Sequence, residues 1–225
     1  WLANTTALPF FEQTQDINGN VTWQADSIVV IKNDISVNSG AALTIEPGTI
    51  IKFEGFARLD VEGTIQAVGT AEQRVYFTSI EDDMLGGDTN GDGRATEPRS
   101  NFWDGITFRG STASNIQHVA VRFGRFGIRI LDPLTTFSHV FATYTRSGIS
   151  IEDKGLELPS GVFKYLFSSN NTGEGIVISN SLDFAQPLDL TFKHIRTEKN
   201  TTGVDIDFNG SNTTVTFDSL QANFN

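Results

Sequence analysis

The sequence predicts an all-β chain wound as a single-stranded, right-handed parallel β-helix of about nine rungs. Three observations predict it. Short runs of Val, Ile, Phe and Thr alternate with polar residues and are separated by Gly, Asn and Asp. No stretch carries the period of a long amphipathic helix, and Leu156–Phe167 is broken by Pro159 and Gly161. The pattern Gly-(Ile/Val)-x-(Ile/Phe) recurs from Gly105, Gly127, Gly148, Gly175 and Gly203, at spacings of 22, 21, 27 and 28 residues.

Between these copies lie further apolar strands at Ile116–Phe123, Phe137–Tyr144, Val162–Phe167, Leu188–Ile195 and Val215–Leu220. Each repeat therefore returns to the same point after two or three strands. A coil of that length stacks on its neighbour by parallel pairing at about 4.8 Å, so inward apolar side chains recur in columns. A glycine before each inward Ile suits a corner that needs positive φ or leaves no room for a side chain. Meanders and sandwiches would need a hairpin turn between consecutive strands.

The N-terminal half follows the same plan. Its strand candidates are Ile28–Ile31, Ile35–Val37, Leu43–Ile45, Ile50–Phe53, Leu59–Val61, Ile65–Ala67 and Val75–Thr78, with corners at Pro47-Gly48 and Gly63-Thr64. The domain plan is an N-terminal cap over 1–27 and a β-helix over 28–225, with a long acidic insertion at 80–102. The rod would be about 40 Å long. Trp1, Phe10, Phe11 and Trp23 are read as capping aromatics, because a bare end rung exposes unpaired amides and a slice of core.

Composition narrows the function. The chain has 225 residues and a formal net charge of −11, which repels a phosphate backbone and argues against nucleic-acid binding. It has no Cys and only 3 His, so thiolate metal sites, disulfides and a Cys nucleophile are excluded. No apolar run reaches the length of a membrane helix, so no membrane insertion is expected. The chain begins at Trp1 with no basic n-region, which reads as a trimmed product. Asn-x-Ser/Thr sequons begin at Asn4, Asn20, Asn170, Asn200, Asn209 and Asn212, favouring a secreted and glycosylated protein.

The sharpest chemical motif is Asp88-Thr89-Asn90-Gly91-Asp92-Gly93. Oxygen-bearing residues at alternate positions, closed by a glycine, match the first half of a calcium loop. The closing position is Arg99 rather than Glu and no flanking helices are evident, so this is no EF-hand. The expected calcium ligands are Asp82, Asp83, Asp88, Asn90, Asp92 and Thr96, with Glu81 and Glu97 close by in sequence.

Catalytic candidates are sparser. The outward column of the Gly-Ile strands reads Thr107, Arg129, Ser150, Val177, Asp205, and the next reads Arg109, Leu131, Glu152, Ser179, Asp207. Asp205 and Asp207 would lie about 7 Å apart on one face, a spacing that suits an inverting glycosidase. Carboxylates on a solvated face more often serve solubility, and no catalytic residue is assigned. His118, His139 and His194 alternate with inward residues and read as a partial surface ladder.

The segment from Ser39 to Phe53 (Ser-Gly-Ala-Ala-Leu-Thr-Ile-Glu-Pro-Gly-Thr-Ile-Ile-Lys-Phe) resembles the opening rungs of secreted microbial parallel β-helix repeat proteins. So do Leu59–Thr70, Val75–Ser79, Gly86–Gly93 and Trp103-Asp104-Gly105-Ile106. The resemblance spans about residues 28–110. It implies an extracellular or cell-surface module of a larger protein and no single activity, since the fold also hosts pectin-type lyases and tailspike glycosidases. The expected function is a non-enzymatic, calcium-stabilised structural or adhesive protein. Its open ends, or the Trp1–Phe11 segment, would allow assembly into a filament or array. The alternative is a carbohydrate-binding or carbohydrate-cleaving module of lyase or glycosidase type.

Overall fold

A computed structural model describes residues 9–110, 114–131, 136–153, 161–180, 188–208 and 213–224. The described residues contain strands, turns and bends, and no helix. All strand pairing is parallel, and the chain coils into a β-solenoid.

Each complete turn contributes three strand segments. The first turn supplies β2 (Asn20–Trp23), β3 (Ile28–Ile31) and β4 (Ile35–Val37). The second supplies β5 (Ala42–Ile45), β6 (Ile50–Phe53) and β7 (Arg58–Val61). The third supplies β8 (Thr64–Val68), β9 (Val75–Ser79) and β10 (Gly105–Phe108). Beyond it the first two segments fuse into one bent strand, giving β11 (Asn115–Arg122) with β12 (Phe126–Ile130) and β13 (Thr136–Thr143) with β14 (Ser147–Asp153). β15 (Gly161–Ser169) with β16 (Glu174–Asn180), and β17 (Leu188–Glu198) with β18 (Thr202–Phe208), complete the series. A partial turn at each end adds β1 (Phe10–Gln13) and β19 (Thr213–Asn223).

Nine strands lie along one continuous ladder, β1-β3-β6-β9-β11-β13-β15-β17-β19, and the third segments form a 7-stranded sheet. The expected rung count therefore holds for the ladder, with seven complete turns. Because β1 pairs with β3 and Ile17 bridges Val37, the stack begins at Phe10, ahead of the boundary drawn at 28. Trp23 is not a surface cap: it faces the core and is buried, while Phe10 and Phe11 stay exposed. Trp1 lies outside the described residues.

The core runs the length of the coil. Its inward Ile and Val columns continue as a file of Phe rings, Phe137, Phe163, Phe192 and Phe217, with centroids 5.8, 5.0 and 5.1 Å apart. Offset stacks of this kind add about 0.5–1.5 kcal/mol each beyond their buried area. The Gly-Ile register is as the sequence predicts, with Ile106, Ile128, Ile149, Ile176 and Val204 in one file. Crowding, more than positive φ, explains the glycines. A Cβ on Gly148 would lie 2.3 Å from the Gly175 carbonyl oxygen of the next turn, and only Gly105 of this column has a left-handed φ, +103.

The corners hold a surprise. His118, His139, Tyr165 and His194 adopt φ of 49, 56, 54 and 57, and bend the fused strands. A second corner uses Phe123, Tyr144, Asn170 and Lys199 in the same conformation. Bulky residues thus occupy a backbone region that costs roughly 1–2 kcal/mol each. One such residue per corner redirects the chain while its neighbours keep their rung hydrogen bonds. Stacked side chains offset part of the strain.

The insertion between β9 and β10 folds back over the outside of β3, β6 and β9. Ile28, Val30 and Ile80 form a second apolar cluster there, against Ile50 and Phe102. Strand β3 is therefore buried on both faces.

Candidate functional site

Lys52 stands at the floor of the covered face. It points outward from β6, where a lysine would ordinarily reach water, but the insertion buries it fully. Its Nζ donates to the Gly87 carbonyl at 2.6 Å, so it pins the insertion to the rod. Burial lowers the ammonium pKa to about 8, against the opposing pull of Asp82, Asp83 and Asp88.

Above this floor the Asp-rich loop closes on itself. Asp88 Oδ1 accepts the Gly91 N–H at 2.7 Å and the Asp92 N–H at 3.3 Å, and its Oδ2 accepts the Gly93 N–H at 2.8 Å. Left-handed φ values of +75 and +74 at Gly91 and Gly93 let the chain wrap around this carboxylate. The Gly93 N–H, helped by those of Gly91 and Asp92, holds the Asp88 carboxyl below the usual carboxylate range. Asp83 is displaced the other way: burial and the neighbouring Asp88 charge raise its pKa.

Asp83, Asp88 and Asp92 each offer a carboxylate oxygen, all within 4.8 Å of one another. Asp92 Oδ2 also accepts Asn90 Nδ2 at 3.0 Å and the Thr96 hydroxyl, so Asn90 and Thr96 border the cluster through Asp92. Asp82 is placed differently. Its Oδ2 accepts the Thr78 hydroxyl at 2.7 Å and pairs with Arg122 at 3.2 Å, which ties the start of the insertion to β9 and β11. Among the described residues, the buried side-chain oxygens without a hydrogen-bond partner all lie in this segment: Glu81 Oε2, Asp82 Oδ1, Asp83 Oδ1 and Thr89 Oγ1. An unpaired buried oxygen costs roughly 1–3 kcal/mol, and a hard cation held by oxygen ligands at the Asp83, Asp88 and Asp92 cluster would give the Asp83 carboxylate a partner. The donor set, carboxylate and hydroxyl oxygen, fits calcium.

The other sequence candidates separate. Asp205 and Asp207 face solvent on β18, and only Asp205 borders a groove on the 7-stranded sheet. The outward columns are less open than expected: Thr107, Ser150 and Leu131 are buried. Among the sequons, Asn20 is exposed, and Asn170 sits half-buried at a corner. Asn200 is buried, and its Nδ2 donates to the Ser168 carbonyl at 3.0 Å, so a glycan on that nitrogen would displace the ladder beneath it. Asn4, Asn209 and Asn212 lie outside the described residues.

Sequence reasoning missed the full extent of the ring ladder. His118, His139, Tyr165 and His194 stack in succession at 4.3, 4.4 and 4.8 Å. Tyr165 fills the gap between the second and third imidazoles, so the file is continuous. The missed signal was positional: each ring immediately precedes an inward apolar residue of its turn.

Comparison with known proteins is sparse. No protein-family model matches the chain, and no solved structure matches it. A 63-residue stretch is 36% identical to Protein bark beetle of Drosophila melanogaster, covering 28% of this chain and 2% of that protein. The chain thus corresponds to a small fraction of that relative's length.

Proposed function

We propose that this chain is a non-enzymatic, extracellular structural or adhesive β-helix whose acidic insertion is locked onto the rod by calcium. The observation that carries this reading is the convergence of Asp83, Asp88 and Asp92 in a segment where four buried oxygens lack hydrogen-bond partners. The ion would be held by those carboxylates, with Thr89 and Asn90 in the same loop. It would offset both the burial and the Asp88 charge that raise the Asp83 pKa. Sites of this openness work at extracellular calcium, with dissociation constants of about 10⁻⁴–10⁻³ M. The exposed Asn20 sequon and the resemblance of residues 28–110 to secreted β-helix repeats support the location.

A role in assembly is proposed at the last described turn, whose open face either a further rung of the same polypeptide or a second copy would cover. Ile206 and Leu220 of the last turns are 44% and 41% exposed, whereas their equivalents one turn earlier, Ile178 and Ile195, are each 1% exposed. Another rung added by strand pairing would cover them. Calorimetric titration with calcium tests the first claim, alongside thermal melts with and without chelator. Saturable binding is expected, with a lower melting midpoint on chelation and loss of both effects in Asp92→Asn. Absence of binding heat together with identical midpoints would refute calcium. For assembly, electron microscopy and light scattering at high concentration should reveal linear polymers, and a monodisperse monomer would count against them.

A further inference from the structure

The outward face of the 7-stranded sheet carries a groove of about 280 Å³, well away from the acidic insertion in sequence. Successive turns build it. Arg125 and Arg146 come from the corner before the sheet, Ser147 and Ser150 from β14, Glu174 from β16 and Asp205 from β18.

The two arginines are stacked by the fold. Arg146 N–H donates to the Gly124 carbonyl at 3.0 Å and Ser147 N–H to the Arg125 carbonyl at 2.9 Å, which places one arginine a single rung above the other. That separation is about 4.8 Å along the backbone. Like charges directly opposed across neighbouring strands are destabilising. Here little local charge answers them. Arg125 has only Asp104 at 3.8 Å, and both side chains are half-exposed. Arg146 has no ion pair among the described residues.

Two of the carboxylates that line the groove, Glu152 and Glu174, hold hydroxyls of its own wall. Glu152 accepts Arg129 Nε at 2.8 Å and the Ser150 hydroxyl at 2.7 Å, and Glu174 accepts the Ser147 hydroxyl at 2.8 Å. The groove therefore has two guanidinium groups at one end, Arg146 without an ion pair among the described residues and Arg125 with a long one to Asp104 at 3.8 Å. Asp205 lies at the other, two rungs beyond Ser150 in the same column.

We infer that this groove binds a monosaccharide-sized, polyhydroxylated acid. Its oxyanion, a carboxylate or a sulfate ester, would sit between Arg125 and Arg146, where paired guanidinium forks grip planar or tetrahedral oxyanions. Its hydroxyl groups would point along the column toward Glu174 and Asp205, which can only accept hydrogen bonds when ionised. The groove's volume of about 280 Å³ leaves room for one sugar ring with its substituents rather than only a bare anion. The inference is independent of calcium in the insertion.

The test is a ligand-observed NMR titration of the intact chain with four probes: glucuronate, glucose 6-sulfate, glucose and inorganic sulfate. Saturable binding of one or both acids is expected, with glucuronate and the sulfate ester distinguishing the two oxyanion sources, and with glucose and inorganic sulfate much weaker. Arg146→Gln and Arg125→Gln should each weaken the acid by about ten- to a hundredfold, the loss expected for one charge-assisted contact. Arg109→Gln, on the same face but paired with Asp60 outside the groove, should bind as the parent does. Each variant is checked for an unchanged melting midpoint. No saturation by either acid up to about 10 mM would overturn the inference. So would inorganic sulfate binding as tightly as the acids, or an equal loss in Arg109→Gln.

Discussion

Substituting Gly148 by Ala isolates what stacking demands of the backbone. The residue has no left-handed φ, so an alanine there carries no conformational strain of its own. Its Cβ would nevertheless lie 2.1 Å from Ser168 Oγ and 2.3 Å from the Gly175 carbonyl oxygen, where ordinary contact begins at 3.4 Å. The serine cannot simply rotate away, because its hydroxyl donates to that same Gly175 carbonyl at 2.7 Å. Two turns must therefore separate by roughly 1 Å locally, against a ladder pinned on both sides, and such overpacking costs about 1–3 kcal/mol. For a chain of this size that is a fall in melting midpoint of about 2–4 °C per kcal/mol. Urea denaturation with the slope held equal gives the free energy directly. Gly19→Ala is the control, since nothing lies within 4 Å of the added carbon and φ is unstrained. Equal stability of the two variants would falsify the reading that the glycine column exists for rung-to-rung contact.

Further outcomes follow from the buried polar groups. Asn171→Ala should cost about 2–3 kcal/mol by chemical denaturation, because it strips the acceptor from the buried Thr145 N–H at 2.9 Å and breaks the link to Asn200 Oδ1 at 2.9 Å. In chelator, stability should rise with pH between about 8 and the unfolded lysine value of 10.5, since folded Lys52 binds fewer protons than unfolded Lys52 across that window. Lys52→Met should flatten that rise, worth up to about 3 kcal/mol in the parent, and an unchanged slope would remove Lys52 as its source. Asp83→Asn should raise the melting midpoint in chelator, by removing a half-buried carboxylate beside Asp88, and should shrink the gain on adding calcium. A larger calcium effect in this variant would place the ion elsewhere.

How much of this was legible beforehand depends on the range of the forces involved. The stacked columns could be read because parallel in-register pairing copies each inward position onto the next turn, so Ile106, Ile128, Ile149 and Ile176 repeat as a pattern in the chain itself. The Asp88–Gly93 motif was readable for a similar reason: its geometry is made by bonds spanning no more than five residues. The return of the insertion over β3 and β6 was hidden, because it rests on contacts such as Lys52 to Gly87 across 35 positions. One clue was present: Ile28-Val29-Val30-Ile31 is apolar at every position, which marks a strand covered on both faces.

Local alternation of side chains and the spacing of the repeat were thus enough to specify a stacked coil, its length per turn and the acidic loop. Tertiary structure alone settled which carboxylates meet, why Asp82 turns to Arg122 instead of the cluster, and how Tyr165 joins three histidines in one file. The physical reason is that alternation encodes only inside and outside. Which outward groups become neighbours depends on where each corner bends the chain, and apart from Asn170 those bends fall on His, Tyr, Phe and Lys residues with a left-handed backbone, which share no one residue type.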